Sequence, residues 1–193
     1  MKKIILIGAG GHAASCIDVI KQEKKFKIIG LVDNKKRVGD YFLNFRILGK
    51  DKDLKRLRKL TKYAFISVGQ VGLSEIRKKI FLKLINLNFE LPNIISPVSY
   101  VSTDATLKRG SIIHHGAIVN SLAKIGNNCI INSKSLIEHG VKVGDHTHIS
   151  TSAVINGDTQ IGESCFIGSK AVIRNNIKIK NRSFIKMGEK ISK

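Results

Sequence analysis

Along the second half of the chain, an aliphatic residue returns at every sixth position. From Val101 to Ile191 each hexad begins with Val, Leu or Ile, and the position four residues later is usually Ala, Ser, Thr or Cys. An uninterrupted six-residue period is typical of hexapeptide β-solenoids, in which short strands turn a corner every six residues. Three hexads close one triangular coil, so this stretch predicts about five coils, with the leading aliphatic residue inside and the small residue at a corner.

Residues 1–90 show a different pattern. The segment KKIILIG predicts a buried strand, GAGG a turn, HAASCIDVIKQEKK a helix and FKIIGLVDN a second strand. After a basic, irregular stretch, YAFISVG predicts a third strand and LSEIRKKIFLKLINLN a second helix with Ser74 as a possible N-cap. The alternation of strands and helices predicts a small βαβαβ unit with a parallel sheet.

Both prolines of the chain lie in the segment PNIISP, at positions 92 and 97, where the first pattern gives way to the second. We therefore predict two domains. Residues 1–91 form a Rossmann-like α/β unit, and residues 92–193 form a left-handed parallel β-helix.

The charge balance is strongly basic, with 34 Lys and Arg against 14 Asp and Glu and a formal net charge of +20. Such a charge suits anionic partners: nucleic acid, a membrane surface or phosphorylated small molecules. Lysine dominates over arginine, is spread along the whole chain and lacks interleaved aromatic residues, so we do not predict nucleic-acid binding.

Neither a membrane span nor a signal sequence is predicted. No stretch approaches the roughly 18 apolar residues of a span, and the run IILIG is too short for a signal core. We predict a cytoplasmic protein whose three cysteines are reduced structural thiols, because Cys16, Cys129 and Cys165 are odd in number and far apart. Cys129 and Cys165 also fall on small positions of the repeat.

The turn GAGGHA, residues 8–13, follows a predicted strand, opens a predicted helix and fits the G-x-G-x-x-A pattern of nucleotide-binding turns. Glycines allow close approach of a phosphate, and the helix N-terminus supplies N–H groups. Asp33, at the end of the second strand, suits a contact with a ribose or base. The domain is short for both halves of a dinucleotide fold, which favours a mononucleotide or sugar nucleotide. The alternative is a tight strand–helix turn without a ligand.

The segment SLIEHGVKVGDHTHIS, residues 135–150, holds three of the six histidines. His139 is predicted at an exposed corner, after Glu138, and His148 on a flat side facing outward, so that both are presented to solvent or to a neighbouring molecule. His115 has the same offset in its hexad as His139. A solvated histidine without a function is the alternative for each.

Taken together, GAGGHA, Asp33, SVG, SEIRKKI and the segment NSKSLIEHGVKVGDHTHISTSAVINGD resemble a known family across nearly the whole chain. These are the bacterial sugar O- and N-acetyltransferases of the sialic-acid O-acetyltransferase and bacillosamine-pathway type. The resemblance implies an acetyl-CoA-dependent enzyme that N-acetylates a UDP-4-amino sugar for surface glycan biosynthesis. O-acetylation of a sialic-acid-type sugar is the alternative within the family.

The resemblance also implies roles for particular residues. His139 is the expected general base, and His148 is expected to bind the acetyl end of acetyl-CoA. The offset of His146 in its hexad differs from both, and we interpret it as a solvated turn residue. Glu138 is expected to assist His139. A homotrimer with acetyl-CoA between adjacent solenoids is expected, without a metal. The other expected binding residues are Gly157 and Ser169 for acetyl-CoA, and Gly8, Gly10, Gly11, His12, Asp33 and Gly69 for the nucleotide sugar.

Three features depart from the family pattern. Relatives have a carboxylate directly after the base, where this chain has Gly140, and Glu138 is the candidate substitute. The segment IRNNIKI replaces the proline–glycine turn usual near the CoA site, and the sequence ends at GEKISK without the usual tail against CoA. We therefore expect substrate affinities that differ from the family's.

Two further interpretations belong to other functional classes. A γ-carbonic-anhydrase-like enzyme would use His139, His146 and His148 as zinc ligands around an open fourth position. A non-catalytic protein that binds sugar nucleotides would agree with Gly140 in place of a carboxylate.

Overall fold

A computed structural model describes residues 1–72 and 75–193, and the predicted N-cap Ser74 lies outside the described residues. The chain divides into two compact units. The first consists of Met1–Gly69 and Ile76–Pro92, and the second of Gln70–Glu75 and Asn93–Lys193.

The first unit is built on one five-stranded sheet. Its strands are β1 Lys2–Ile7, β2 Phe26–Val32, β3 Tyr41–Phe42, β4 Phe45–Gly49 and β5 Tyr63–Ile66. They lie in the order β3-β4-β2-β1-β5, and all pairs are parallel except β3 with β4. The helices are α1 Gly11–Glu23, α2 Leu54–Leu57 and α3 Glu75–Asn86, and a 3₁₀ turn spans Asp51–Asp53.

The stretch interpreted as irregular from sequence contains a hairpin, which corrects that expectation. Leu43 and Asn44 connect β3 to β4 with φ values of 45° and 67°. Positive φ at both central residues is the hairpin geometry whose twist matches that of the flanking strands. Leucine is an uncommon residue in such a turn, so the sequence contains little sign of it. The hairpin places β4 beside β2 and extends the parallel sheet.

The second unit is a solenoid of three parallel sheets, as the hexad period predicts. Residues 18 apart along the chain stand in register, for example Ile118 with Leu136 and Leu136 with Val154. One coil therefore consists of three hexads. The solenoid begins earlier than the repeat suggested, because Ile94–Ile95 already pairs with Ile112–Ile113.

We name the three faces by their outward residues. The histidine face holds β6 Ile94–Ile95, β9 Ile112–Ile113, β12 Ile130–Ile131, β15 His148–Ile149, β18 Phe166–Ile167 and β21 Phe184–Ile185. The aliphatic face holds β7 Tyr100–Val101, β10 Ile118–Val119, β13 Leu136–Ile137, β16 Val154–Ile155, β19 Val172–Ile173 and β22 Lys190–Ile191. The lysine face holds β8 Thr106–Leu107, β11 Lys124–Ile125, β14 Lys142–Val143, β17 Gln160–Ile161 and β20 Lys178–Ile179.

The solenoid core confirms the predicted use of the hexad. The leading aliphatic residues from Ile113 to Ile173 are at most 3% exposed, and they pack on the small corner residues. Cys129 and Cys165 are such small residues, and like Cys16 they are buried. Burial raises the pKa of the Cys16 thiol to about 12, so the thiolate is disfavoured and a structural role agrees with this environment.

No helix among the described residues is long and apolar enough to cross a membrane.

Candidate functional site

The glycine turn between β1 and α1 contains two kinds of glycine. Gly8 has a φ of +110°, and a Cβ placed there would lie 2.6 Å from Val68 Cγ2 and 2.9 Å from Val68 N. The close approach of β1 to the chain after β5 therefore requires glycine at this position. Gly10 and Gly11 differ, because a Cβ at either would meet nothing within 4 Å.

The open space beside Gly10 and Gly11 lies at the N-terminus of α1. The first turn of this helix has no acidic residue, and Gly10 provides no side-chain cap. Helix N-terminal N–H groups without an acidic partner favour an anion. Neither glycine is required by contacts among the described residues, which agrees with their predicted role beside a phosphate.

Asp33 organises the same turn. Its Oδ2 accepts a hydrogen bond from Ala9 N–H at 2.8 Å, and its Oδ1 accepts from Lys35 and Lys36 N–H at 2.8 and 3.1 Å. Burial opposes the charged form, but these hydrogen bonds outweigh it and hold the pKa of Asp33 below the usual range. The carboxylate thus fixes the turn, and its predicted contact with a ribose or base stays a prediction.

The remaining residues predicted to bind the nucleotide sugar are His12, in α1, and Gly69, which follows β5. A Cβ at Gly69 would be 3.0 Å from His12 Cβ, so glycine lets the two segments approach. The buried guanidinium of Arg77 donates to the carbonyls of Ile66 and Val68 and holds this segment in place.

His139 lies on the corner that joins the aliphatic face to the lysine face. Its side chain is 66% exposed. The ring lies over Gly157 of the next coil, where a Cβ would be 2.5 Å from His139 Cε1 and 2.6 Å from Nε2. The ring of His139 therefore packs against the backbone of Gly157. The predicted contact of Gly157 with acetyl-CoA stays a prediction.

Sequence reasoning missed a carboxylate beside His139. Asp158 Oδ2 lies 3.9 Å from His139 Nδ1. Glu138, the predicted helper, accepts instead a hydrogen bond from Asn120 Nδ2 at 2.9 Å. The signal that could have found Asp158 is the 18-residue coil, since it stands one coil after Gly140, where relatives were expected to carry their carboxylate.

His148 lies outward on the histidine face but is only 6% exposed, which corrects the expectation that it is presented to solvent or a neighbour. Its Nδ1 donates to the Gln70 carbonyl at 2.7 Å, because a carbonyl can only accept. In the neutral ring Nε2 is then an acceptor, 3.3 Å from Asn132 Nδ2. Phe166 packs edge-to-face on the ring, with centroids 5.2 Å apart.

His146 is a turn residue, as predicted, with a φ of 62°. It is not solvated, however, which corrects that part of the prediction: it is 6% exposed, and its Nδ1 lies 3.0 Å from Asn128 Nδ2. Asn128 stands 18 residues earlier, at the stacked corner position, so the pair links two coils.

A single chain does not bring the predicted groups together. His139 is on the corner opposite the histidine face, so it points away from the side that carries His148. His146 is on another corner, between the lysine face and the histidine face. Within one chain these histidines therefore do not form a zinc site. Ser169 lies on the corner between the histidine and aliphatic faces, with its Oγ 3.0 Å from Ser150 Oγ.

The lysine face, next to the His139 corner, carries a shallow groove of about 840 Å³. Lys124 and Lys142 stand side by side in register along it. Lys178 stands two coils beyond Lys142. Asp145 and Glu163 also line the groove, so its positive charge is concentrated on the strands. Like charges in register repel each other, and the row of lysines therefore favours an anion.

Both units match models of known protein families. Residues 3–84 match the PglD N-terminal domain, residues 122–157 match the bacterial transferase hexapeptide (six repeats), and residues 159–191 match the hexapeptide repeat of succinyl-transferase. The chain thus combines a PglD-type N-terminal domain with transferase-type hexapeptide repeats. The predicted family and fold class are confirmed.

Solved structures of acetyltransferases resemble nearly the whole chain. The acetyltransferase domain of PglB from Neisseria gonorrhoeae is 25% identical with a TM-score of 0.89, covering 100% of this chain and 92% of that one. The same domain in complex with acetyl coenzyme A gives 25% identity and a TM-score of 0.88 over 98% and 92%. A mutant GDP-perosamine N-acetyltransferase from Caulobacter crescentus, in complex with CoA and GDP-perosamine, shares the fold at 22% identity and a TM-score of 0.80 over 96% and 94%.

Proposed function

We propose that the protein transfers the acetyl group of acetyl-CoA to the amino group of a nucleotide-linked amino sugar, with a UDP-4-amino sugar as the first candidate in surface glycan biosynthesis. The observation that carries the proposal is His139, an exposed imidazole seated on Gly157 at a rigid corner. The matching PglB domain, whose structure holds acetyl coenzyme A, supports the choice of donor.

His139 acts as the general base in this proposal. The amine nitrogen forms a bond to the acetyl carbonyl carbon, the thioester C–S bond breaks, and the proton lost by the nitrogen passes to His139 and then to the CoA thiolate. Imidazole suits this transfer near neutral pH. Since Nδ1 faces Asp158, Nε2 is the nitrogen that takes the proton.

The donor is proposed to lie against the groove of the lysine face. The lysine face borders the His139 corner, and Lys124 and Lys142, which line the groove, offer positive charge to the CoA phosphates. An acetyl group held at His139 would then lie at one end of an extended donor whose phosphates lie along the lysines.

A homotrimer with its threefold axis roughly parallel to the solenoid completes this arrangement. The aliphatic face leaves Tyr100 58% and Ile118 38% exposed in one chain. A neighbour packed on that face would bury them, and only another copy could bring the side that carries His148 toward the His139 corner. The predicted roles of His148 and Ser169 toward the acetyl end depend on this assembly.

The acceptor nucleotide is proposed to bind at the glycine turn of the first unit. Open space at Gly10 and Gly11, the N-terminus of α1 and the fixed position of Asp33 suit a diphosphate. The perosamine enzyme, whose structure holds GDP-perosamine, supports a nucleotide-linked amino sugar as the acceptor class.

The test measures CoA release with acetyl-CoA and a panel of UDP-, GDP- and CMP-linked sugars, each amino sugar paired with its hydroxyl analogue. We expect release only with an amino sugar, and a near-complete loss in His139→Ala. His115→Ala is the matched control, because His115 has the same hexad offset on a different corner. Release with hydroxyl sugars alone would favour O-acetylation. If none of the sugars in the panel caused CoA release, or if His139→Ala kept full activity, the proposal would be contradicted.

A further inference from the structure

We propose that Asp158 is the positioning carboxylate of His139, supplied from the next coil of the solenoid, and that Gly140 is the residue that makes room for it. The inference rests on the proposed function, in which His139 is the general base. The role of assisting His139 is thereby assigned to Asp158 and not to Glu138. Glu138 is next to His139 in sequence, whereas Asp158 is brought next to His139 only by the stacking of the coils.

The stacking itself brings Asp158 to this place. Asp158 N–H donates to the His139 carbonyl at 3.0 Å, and Gly140 N–H donates in the same way to Ser121 in the coil before. Position 158 therefore stands over position 140 in a regular column of corner residues. The Cα of residue 158 therefore lies beside the backbone of His139, the proposed base, whichever rotamer the Asp158 side chain adopts.

Gly140 and Asp158 share one space. A Cβ at Gly140 would overlap Asp158 Oδ1, and the three atoms nearest to it all belong to Asp158. A side chain at 140 and the present carboxylate at 158 therefore exclude each other. The backbone is left-handed at both positions, with φ of +68° and 59°, a conformation that aspartate tolerates better than most residues.

The ring of His139 is oriented toward this carboxylate. Gly157 provides the surface under the ring, and Nδ1 points to the side where Asp158 Oδ2 lies at 3.9 Å. This separation is within ion-pair range and too long for a direct hydrogen bond. The carboxylate therefore favours the tautomer with hydrogen on Nδ1 and attracts the imidazolium as His139 gains a proton, while Nε2 stays available to the amine.

Glu138 is less suited to this task. Its carboxylate accepts from Asn120 Nδ2 at 2.9 Å, and it precedes His139 at the end of a strand, where successive side chains point to opposite sides.

The test begins with Asp158→Asn, which keeps the shape and removes the charge. We expect kcat to fall by about ten- to a hundredfold, less than the 10²–10⁴-fold typical of losing the base itself, with KM for acetyl-CoA nearly unchanged. Asp104→Asn is the matched control, since Asp104 occupies the same corner position three coils earlier and carries the same charge. We expect it to keep wild-type kcat.

Exchange of the two residues separates a positioning carboxylate from a structural one. In Gly140→Asp/Asp158→Gly the overlap disappears, because the Asp158 side-chain atoms nearest to the new Cβ are removed and Asp158 Cα lies 3.7 Å away. The carboxylate moves to the coil of His139 itself. We expect the exchange to recover most of the kcat that Asp158→Gly alone loses.

The spectroscopic readout is the tautomer of His139 from side-chain ¹⁵N chemical shifts, assigned by comparison with His139→Ala. We expect hydrogen on Nδ1 in the wild type and a mixture of tautomers in Asp158→Asn. If Asp158→Asn keeps wild-type kcat and tautomer while His139→Ala is inactive, the inference falls and the proposed function stands. The inference also falls if the exchanged variant folds and is no better than Asp158→Gly. If His139→Ala stays active, the proposed function falls first.

Discussion

Two glycines of the α/β unit and two of the solenoid corner leave different kinds of space. In the α/β unit, a side chain at Gly10 or Gly11 would meet nothing within 4 Å. On the solenoid corner, the space at Gly140 is taken by Asp158 and that at Gly157 by the ring of His139. Open space beside a helix N-terminus suits a ligand, whereas filled space records a contact inside the protein. The same residue type therefore leaves space for the proposed acceptor in one unit and accommodates neighbouring side chains in the other.

The largest effect should come from filling the space under the base. In Gly157→Ala the new Cβ would overlap the His139 ring, and the exposed ring can move away more easily than the backbone of the coil. We expect a loss in kcat of about 100-fold or more, approaching the loss of a general base, with the thermal unfolding temperature nearly retained. Steady-state kinetics with a melting curve measure both.

Gly188→Ala is the control, since it adds the same methyl group at a solenoid corner where a Cβ would meet nothing within 4 Å. A Gly157→Ala variant that keeps wild-type kcat would show that the His139 ring does not need to pack against Gly157 for catalysis.

The next effect should come from filling the open space in the other unit. In Gly10→Val the branched side chain would stand where the phosphates are proposed to lie. We expect the acceptor KM to rise about tenfold or more while KM for acetyl-CoA changes little, because no contact of the folded chain is lost. An equal rise in both constants would indicate a folding defect and contradict the assignment of this space to the acceptor.

The smallest effect concerns the carboxylate that holds the glycine turn. Asp33→Asn removes charge-assisted hydrogen bonds, and we expect the free energy of unfolding to fall by about 1 kcal/mol near neutral pH, at the low end for such bonds because the group is largely open to solvent. Since the pKa of Asp33 is lowered on folding, its contribution is present above its unfolded pKa and is lost as the pH falls through the folded value. Denaturant unfolding at pH 7 and pH 3 should therefore show a difference between the variants that shrinks in acid.

The hexad period was sufficient to predict the solenoid, because every coil repeats the same physical requirement. Ile131 and Ile149 must fill the interior, and Cys129 must be small enough for a corner. The hairpin at Leu43 and Asn44 was missed, since its turn residues are atypical and its strands are short.

The candidate site was predictable where it depends on residues next to each other in sequence, as in the glycine turn and His139. The parts of the site that depend on stacking between coils, or on burial by a segment distant in sequence, were not predictable. Asp158 reaches His139 only through the 18-residue coil, and His148 is buried under Gln70, which is far from it in sequence. His146, assigned to solvent, is buried for the same reason, by a partner one coil away.

The role of His139 as the general base can be tested by comparing the pH–rate profile of acetyl transfer for the wild type, His139→Ala and His115→Ala. With a saturating nucleotide-linked amino sugar and acetyl-CoA, we expect the wild type and His115→Ala to gain rate between about pH 6 and 7, where imidazole groups commonly lose a proton. His139→Ala should lose about 10²–10⁴-fold in kcat together with this rise. An unchanged rate and profile in His139→Ala would contradict this role.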